Sequence, residues 1–183
     1  MLDVRPMGLG VLEIRPSRLP DDRGFFSEVW SERAFHDAGI DETFVQDNHS
    51  VSRDAGVLRG LHFQAPPMAQ AKLVRVSRGS IFDVAVDIRT GSPTYRQWVA
   101  ARLSAADWNQ MFVPAGFAHG FVTLEPDTEV QYKVSAPYSR DHDRAIRFDD
   151  PLIGVEWPID RAALILSDKD RAAPLLAEIE TGF

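Results

Sequence analysis

Short runs of alternating or β-branched residues, each ended by a turn-forming residue, limit most strongly how this chain can fold. Gly, Pro, Asp or Ser separate these runs. Short strands at such regular spacing favour an all-β sandwich or barrel over alternating βαβ units. The SRGS stretch at 77–80 predicts a tight hairpin turn. The predicted strands cover residues 10–14, 43–51, 57–64, 71–78, 80–88, 96–104, 110–113, 119–125 and 129–136.

Two helices are predicted, one near each end of the chain. The first covers 32–38, with Ser31 as N-cap and Gly39 after its last residue. The second follows Ser167 and covers DKDRAAPLLAEI at 168–179. A length of 183 residues, without an internal repeat, low-complexity tract or linker, indicates one domain over residues 1–183.

The composition excludes several classes of function. A formal net charge of −7 argues against a nucleic-acid surface and against adhesion to anionic membranes. The lack of cysteine excludes disulfides and thiolate metal sites, and it is compatible with a reducing cytoplasm. The N-terminus lacks a secretory pattern, and no apolar run approaches the ~20 residues that span a bilayer.

The stretch VLRGLHFQ at 57–64 places a cation and an imidazole inside an otherwise apolar strand. Side chains alternate between the two faces of a strand, so regular alternation predicts that Arg59 and His62 point in opposite directions. One face then carries Leu58, Gly60, His62 and Gln64, and the other carries Val57, Arg59, Leu61 and Phe63.

Three other strands each place a polar side chain on an apolar face. Lys72 shares its face with Val74 and Val76, His119 with Phe121 and Thr123, and Tyr132 with Val130 and Val134. If the apolar residues mark the inside of a barrel, these three polar groups and His62 point inward. Four polar groups that meet inside a barrel form a site rather than a core.

Nine stretches, in order, resemble the dTDP-4-dehydrorhamnose 3,5-epimerases, a cupin-like family of nucleotide-sugar epimerases. They extend over nearly the whole chain, which makes the resemblance very specific. It implies an all-β, cupin-like jelly-roll sandwich or barrel with a few short helices in the N- and C-terminal regions. The stretches are DDRGFFSEVW (21–30), FVQDNHSVS (44–52), VLRGLHFQ (57–64), AKLVRVSRGSIFDVAVDIR (71–89), SPTYRQW (92–98), VPAGFAHGF (113–121), YKVSAPYS (132–139), IGVEWP (153–158) and LSDKD (166–170).

The resemblance also implies roles for particular residues. His62 is the base, Asp170 its orienting partner, Tyr132 the acid on the opposite face, and Lys72 the group that stabilises an enolate oxygen near His119. Asp170 also suits a capping box with Ser167, and the two roles are compatible. The resemblance places the remaining substrate-binding residues as follows: Arg23 and Arg59 on the diphosphate with Lys169 close by, Glu28, Gln46, Asp47 and Asn48 in the nucleotide site, and Tyr138 stacked on thymine.

The resemblance implies a dTDP-sugar as substrate, no metal, no organic cofactor, and a homodimer whose N-terminal segments cross to the partner. This sequence departs from the family at Asp143, a ligand-contact position where the family usually has Glu. The implied reaction is epimerisation of dTDP-4-dehydro-6-deoxy-D-xylo-hexulose at carbons 3 and 5, in the cytoplasm, on the route to dTDP-L-rhamnose.

The residues themselves argue against a divalent metal. Pro114, Gly116 and His119 have the P-x-G-x-x-H form of a barrel turn that often carries a metal ligand. Metal-binding cupins add an H-x-H pair, but here Gln64 replaces the second histidine and Lys72 brings a cation. By itself, His119 suits a hydrogen-bonded structural histidine.

Three other functions stay open at this point. They are epimerisation at a single centre of a related deoxysugar, a metal-dependent cupin activity such as a dioxygenase, and non-catalytic binding of a nucleotide sugar. An acid and a base on opposite faces favour the double epimerase, because binding alone needs neither.

Overall fold

The structure, a computed structural model, describes residues 2–183 and consists mainly of strands. Two short helices accompany them, α1 (Glu32–Asp37) and α2 (Asp168–Arg171). Within the described residues, no helix is long and apolar enough to cross a bilayer. The strands are β1 (Leu2–Gly8), β2 (Val11–Pro16), β3 (Leu19–Asp21), β4 (Gly24–Phe26), β5 (Gln46–Ser52), β6 (Val57–Gln64), β7 (Lys72–Arg78), β8 (Ser80–Asp87), β9 (Trp98–Ser104), β10 (Gln110–Val113), β11 (Phe117–Thr123), β12 (Thr128–Val134), β13 (Asp143–Ala145) and β14 (Ile165–Leu166).

Two antiparallel sheets form the body of the fold. The first sheet has the order β1-β2-β10-β7-β12-β5, and the second has the order β13-β6-β11-β8-β9. The short β14 pairs with β6 in parallel, and β3 and β4 form a separate hairpin. From β5 to β8 the chain changes sheets at every strand. This architecture confirms the expected all-β jelly roll.

The predicted hairpin at 77–80 is wrong, because β7 and β8 belong to different sheets. The turn carries the chain from β7, which pairs with β10 and β12, to β8, which pairs with β9 and β11. Gly79 has φ +76°, and a Cβ there would lie 2.4 Å from Thr128 Oγ1. A Gly-Ser turn signal indicates that the chain changes direction, but the choice of pairing partner depends on tertiary contacts.

The first predicted helix is confirmed, and the second is much shorter than predicted. Ser31 caps α1, and Gly39 follows it with φ +84°. The helix predicted over 168–179 ends at Arg171, and a 3₁₀ turn follows at Leu176–Glu178. Pro174 accounts for the interruption, because proline disfavours helical backbone at the residue before it and has no N–H to donate.

Apolar side chains fill most of the space between the sheets and also cover the outer face of the second sheet. Val74, Val130 and Phe121 belong to the core cluster between the sheets. On the outer face, Leu61 and Phe63 pack with residues of the C-terminal segment such as Ile153. The second sheet is therefore buried on both faces, and the C-terminal segment is part of the core.

An irregularity in β6 decides which side chains face inward. His119 pairs with His62 and Phe121 pairs with Arg59, so two steps along β11 match three steps along β6. The extra residue is a β-bulge, and it reverses the alternation between Arg59 and His62. Both side chains therefore lie on the same face, and the prediction that they point in opposite directions is wrong.

Glycine is required at this bulge because β6 and β11 approach very closely. Gly60 has φ +129°, and a Cβ on it would lie 2.5 Å from Gly120 Cα and 2.9 Å from the carbonyl oxygen of His119. Distances this short do not occur for real Cβ atoms, so any side chain at this position would push the two strands apart.

We predict that Gly60→Ala lowers the free energy of unfolding by about 2–5 kcal/mol, because backbone strain and overpacking add at this site. Urea unfolding followed by circular dichroism measures the change. Gly91→Ala is the matched control, since nothing lies within 4 Å of a Cβ built there. Equal unfolding midpoints for the two variants would contradict the role given to Gly60.

Candidate active site

A cavity of about 660 Å³ opens between the two sheets. Its volume lies in the range of small-molecule sites. The four polar side chains that the strand patterns predicted to converge, His62, Lys72, His119 and Tyr132, all line it. Two of them come from the second sheet and two from the first, so the cavity carries functional groups on opposite walls.

His62 and Asp170 form a hydrogen-bonded pair at the cavity wall. His62 Nε2 lies 2.5 Å from Asp170 Oδ1, and Ser167 Oγ donates to Asp170 Oδ2 at 2.7 Å. Ser167 Oγ also accepts from the Asp170 backbone N–H at 3.1 Å, so capping and orientation of the histidine coexist. A carboxylate on one ring nitrogen fixes the tautomer and direction of an imidazole. Nδ1 is then available to a bound molecule.

The charge state of Asp170 suits this orienting role. Burial by itself would raise the pKa of Asp170, but hydrogen bonds from His62 and Ser167 outweigh it and lower the pKa. The carboxylate is therefore ionised at neutral pH. An ionised Asp170 can accept a hydrogen bond from Nε2 of His62 and hold the orientation of the ring.

Lys72 is a buried cation beside the same histidine. Its Nζ donates to the His62 carbonyl oxygen at 3.2 Å, and the residue is 7% exposed. Burial lowers the pKa of Lys72 to about 8, while the negative charges of Asp83 and Asp143 oppose that shift. Below about pH 8 the cavity therefore contains an ammonium group in surroundings of low polarity, where a charge acts more strongly than in water.

His119 forms a second histidine–carboxylate pair, with a partner that the sequence reasoning missed. His119 Nε2 lies 2.7 Å from Asp83 Oδ1, and Asp83 is fully buried. The pattern of β8 offered a signal for this residue, because a carboxylate on the same face as Ile81 and Ala85 must find a partner if it is buried. Burial lowers the pKa of His119 despite the charge of Asp83, so the ring is neutral at neutral pH.

Tyr132 reaches the cavity from the first sheet, while His62 reaches it from the second. Burial raises the pKa of Tyr132, although Arg59 partly opposes this effect. The phenol is therefore protonated at neutral pH and can donate a proton. A proton acceptor and a proton donor thus occupy opposite walls of one cavity.

Most of the expected substrate-binding residues also line this cavity. Asp143 Oδ2 accepts from Lys169 Nζ at 2.5 Å and from the Tyr138 hydroxyl at 3.3 Å, so the shorter carboxylate of this chain still bonds within the cavity. The predicted residues that line the cavity in addition to the four central groups are Gln46, Asn48, Arg59, Tyr138, Asp143, Lys169 and Asp170.

Three expected residues lie outside the cavity of their own chain. Arg23 follows β3 in the exposed hairpin, where its side chain is 89% exposed and pairs with Asp21. Glu28 is also exposed. Asp47 alternates with Gln46 along β5, and it faces away from the cavity and pairs with Lys133 at 2.8 Å. The structure does not bring these three residues together with His62.

The position at which metal-binding cupins would have a second histidine is filled by a fully bonded amide. Gln64 donates to the carbonyl oxygens of Met68 and Pro137 and accepts from the Ser139 N–H. Among residues 2–183, no group of three or more His, Asp or Glu side chains is arranged to hold a metal ion. The donor set of the cavity is therefore unlike that of a divalent-metal site.

Comparison with known proteins identifies close relatives. The chain matches the family model for dTDP-4-dehydrorhamnose 3,5-epimerase over residues 9–178. A dTDP-4-dehydrorhamnose 3,5-epimerase from Sinorhizobium fredii is 54% identical over 170 residues, which cover 93% of this chain and 87% of that protein.

Two solved structures show the same fold. A dTDP-6-deoxy-D-glucose-3,5-epimerase from Legionella pneumophila, in complex with dTDP-4-keto-L-rhamnose, has a TM-score of 0.93 and 41% identity, covering 98% of this chain and 95% of its own. A 3'-monoepimerase from Streptomyces bikiniensis, in complex with dTDP-quinovose, has a TM-score of 0.84 and 34% identity. The match covers 92% of this chain and 84% of the monoepimerase chain.

We predict that Lys72 titrates with a pKa of about 8, against an ordinary value of 10.5, because it is buried. The chain has three lysines, so NMR of ¹³Cε-labelled lysine resolves Lys72, and Lys72→Arg assigns its signal. Asp83→Asn should move the pKa below 8, since it removes a negative charge that favours the ammonium. Titration of Lys72 near 10.5 would refute a desolvated ammonium in the cavity.

Proposed function

The chain belongs to the dTDP-4-dehydrorhamnose 3,5-epimerase family, and from that membership we propose that it converts dTDP-4-dehydro-6-deoxy-D-xylo-hexulose to dTDP-4-dehydro-L-rhamnose. The reaction inverts carbons 3 and 5, which flank the ketone. The observation that carries the proposal is the placement of the His62–Asp170 pair and the Tyr132 phenol on opposite walls of one cavity.

Proton removal beside a ketone needs more than a base. A carbon acid of this kind is less acidic than imidazolium by roughly 12 pKa units, which is ~16 kcal/mol uphill. A pre-placed donor to the enolate oxygen typically contributes ~3–4 kcal/mol. We assign this role to the Lys72 ammonium, with the neutral His119 close by. The contribution weakens above about pH 8, where Lys72 loses its proton.

Inversion also needs protonation from the face opposite the base. His62 removes the proton on one side of the sugar ring, and Tyr132 donates one from the other wall of the cavity. The order of events at each carbon is therefore abstraction by His62, stabilisation of the enolate by Lys72, and protonation by Tyr132. Before the second carbon reacts, His62 releases its proton to solvent and Tyr132 regains one from solvent.

The remaining residues of the cavity bind the nucleotide end of the substrate. Arg59 and Lys169 supply positive charge for the diphosphate, against the overall charge of −7. Tyr138 has a ring that is largely exposed and free to stack on thymine. Gln46 and Asn48 point inward from β5 and are joined by a hydrogen bond of 2.8 Å.

Epimerisation of a related dTDP-sugar at one carbon is the alternative, since a 3'-monoepimerase shares this fold. Inversion at one carbon needs a positioned acid as much as inversion at two, so Tyr132 suits either reaction, and the double reaction is favoured by the relatives that are dTDP-4-dehydrorhamnose 3,5-epimerases. A metal-dependent activity finds little support in the donor set, and simple binding leaves the opposed acid and base without a purpose.

We also propose that the active form is a homodimer in which the β3–β4 hairpin of each chain reaches the cavity of its partner. The hairpin pairs with neither sheet and contacts its own chain through Phe25, which packs on Trp108 with ring centroids 4.9 Å apart. Leu19 and Phe26 on it are 62% and 68% exposed. An isolated two-stranded hairpin has little stability of its own. Such an exchange would bring Arg23 and Glu28 to a cavity that they do not reach in their own chain.

We also propose that the protein is a single domain and is located in the cytoplasm. One domain over residues 1–183 is supported by the packing of the C-terminal segment against the second sheet. A cytoplasmic location is supported by the lack of cysteine, and cell fractionation tests it.

Co-expression of two defective variants tests the exchanged hairpin. A His62→Ala chain has an inactive cavity and an intact hairpin. An Arg23→Ala chain has an intact cavity and a defective hairpin. In a mixed dimer, the intact cavity receives the intact hairpin, so activity should return to about half of the wild-type value per dimer. Absence of rescue in a purified mixed dimer would indicate that each chain completes its own site.

Tyr132→Phe tests the catalytic assignment. The variant keeps the ring and its packing, so the fold should persist, while reprotonation falls to His62 on the original face. In D₂O we expect deuterium to enter recovered substrate while formation of inverted product falls about 100- to 10,000-fold. NMR measures both rates on one sample, and Tyr95→Phe, outside the cavity, is the matched control. Wild-type epimerisation by Tyr132→Phe would remove Tyr132 from the mechanism.

A further inference from the structure

The segment at residues 136–139, which contains Tyr138, belongs to no strand or helix, yet its backbone groups are bonded by side chains. Gln70 Nε2 donates to the Ala136 carbonyl oxygen at 2.7 Å. Gln46 Oε1 accepts from the Tyr138 N–H at 3.0 Å. Gln64 bonds to the residues on both sides of the tyrosine. Three glutamine side chains thus supply bonds that a sheet would otherwise provide.

Gln64 makes the central contribution to this arrangement. Its Nε2 donates to the carbonyl oxygen of Pro137 at 3.1 Å and to that of Met68 at 2.7 Å, and its Oε1 accepts from the Ser139 N–H at 2.7 Å. Both donor hydrogens of the amide are used, and the side chain is 4% exposed. A buried amide with all these bonds has a single orientation.

The position of Gln64 in the chain connects the two halves of the site. It lies on β6 two residues after His62, and both side chains line the same cavity. The carbonyl oxygen of Pro137 and the N–H of Ser139 flank Tyr138 directly. The Gln64 amide therefore links β6, which carries His62, to the backbone on both sides of Tyr138.

We propose that Gln64 is a positioning residue for Tyr138, which it holds by its backbone so that the ring is preorganised for the thymine base. The ring itself is 60% exposed and its hydroxyl makes a 3.3 Å contact with Asp143, so its position depends on the backbone bonds from Gln64 and from Gln46. A binding group that is already ordered loses less entropy when its ligand binds. This inference rests on the proposed function, which gives Tyr138 its role on the base.

The first test measures the backbone without any ligand. Gln64→Met keeps the approximate shape of the side chain and removes the amide. We expect the Ser139 N–H to exchange with solvent at least about tenfold faster, because it loses its buried partner. Asn109→Leu is the matched control, since Asn109 is also a buried amide with three hydrogen bonds and lies outside the cavity. Unchanged exchange in Gln64→Met would overturn the proposal, whatever the protein binds.

The second test measures calorimetric affinity for dTDP in a double-mutant cycle. Gln64→Met should weaken binding about tenfold, the scale of one or two net hydrogen bonds. Turnover at saturation should stay near wild type, while KM rises. Tyr138→Ala should also weaken binding, and adding Gln64→Met to it should have no further effect, because Gln64 acts through Tyr138.

The outcomes separate the two levels of inference. If the losses of dTDP affinity in the two single variants multiply in the double variant, Gln64 does not act through Tyr138. The same conclusion follows if Gln64→Met weakens dTDP binding and Tyr138→Ala does not. Failure of the wild-type protein to bind dTDP would instead contradict the proposed function. Loss of affinity in Asn109→Leu equal to that in Gln64→Met would indicate general destabilisation and overturn the positioning role.

Discussion

The close approach of β6 and β11 at Gly60 and Gly120 determines the arrangement of the whole site. The bulge at this contact turns Arg59 and His62 to the same face and places His62 opposite His119. The carbonyl oxygen of His62 then accepts from Lys72, which joins the two sheets. A regular strand would have pointed either His62 or Arg59 out of the cavity.

Electrostatic pairing explains how so many ionisable groups tolerate burial in one place. Each histidine has its own carboxylate, Asp170 for His62 and Asp83 for His119. Among residues 2–183, Lys72 forms no direct ion pair, and burial lowers its pKa to about 8. The Lys72 charge is therefore not neutralised by a partner within the protein and remains available to a bound molecule, in surroundings where a charge acts more strongly than in water.

Much of the fold and of the cavity lining is predictable from the sequence, and each wrong prediction has an identifiable physical cause. The central strands, the helix α1 and the inward faces of β7, β11 and β12 followed from local patterns, which depend on neighbouring residues only. The predicted β7–β8 hairpin is wrong because strand pairing is a tertiary property, and α2 is shorter than predicted because Pro174 disfavours helical backbone in the middle of the predicted range. Gly60 inside a strand pattern was itself a bulge signal, and reading it would have corrected the face assignments of β6. The pattern of β8 indicates that Asp83 is buried, but its pairing with His119 depends on contacts between strands that no local pattern contains.

Solvent exchange at the substrate carbons measures the central claim most directly. The wild-type protein, incubated in D₂O with dTDP-4-dehydro-6-deoxy-D-xylo-hexulose and followed by ¹H NMR, should incorporate deuterium at both carbon 3 and carbon 5 and yield the doubly inverted product. His62→Ala should bind dTDP normally and exchange neither position. Deuterium at one carbon only would instead identify a single-centre epimerase, and undiminished exchange in His62→Ala would contradict the assignment of the base.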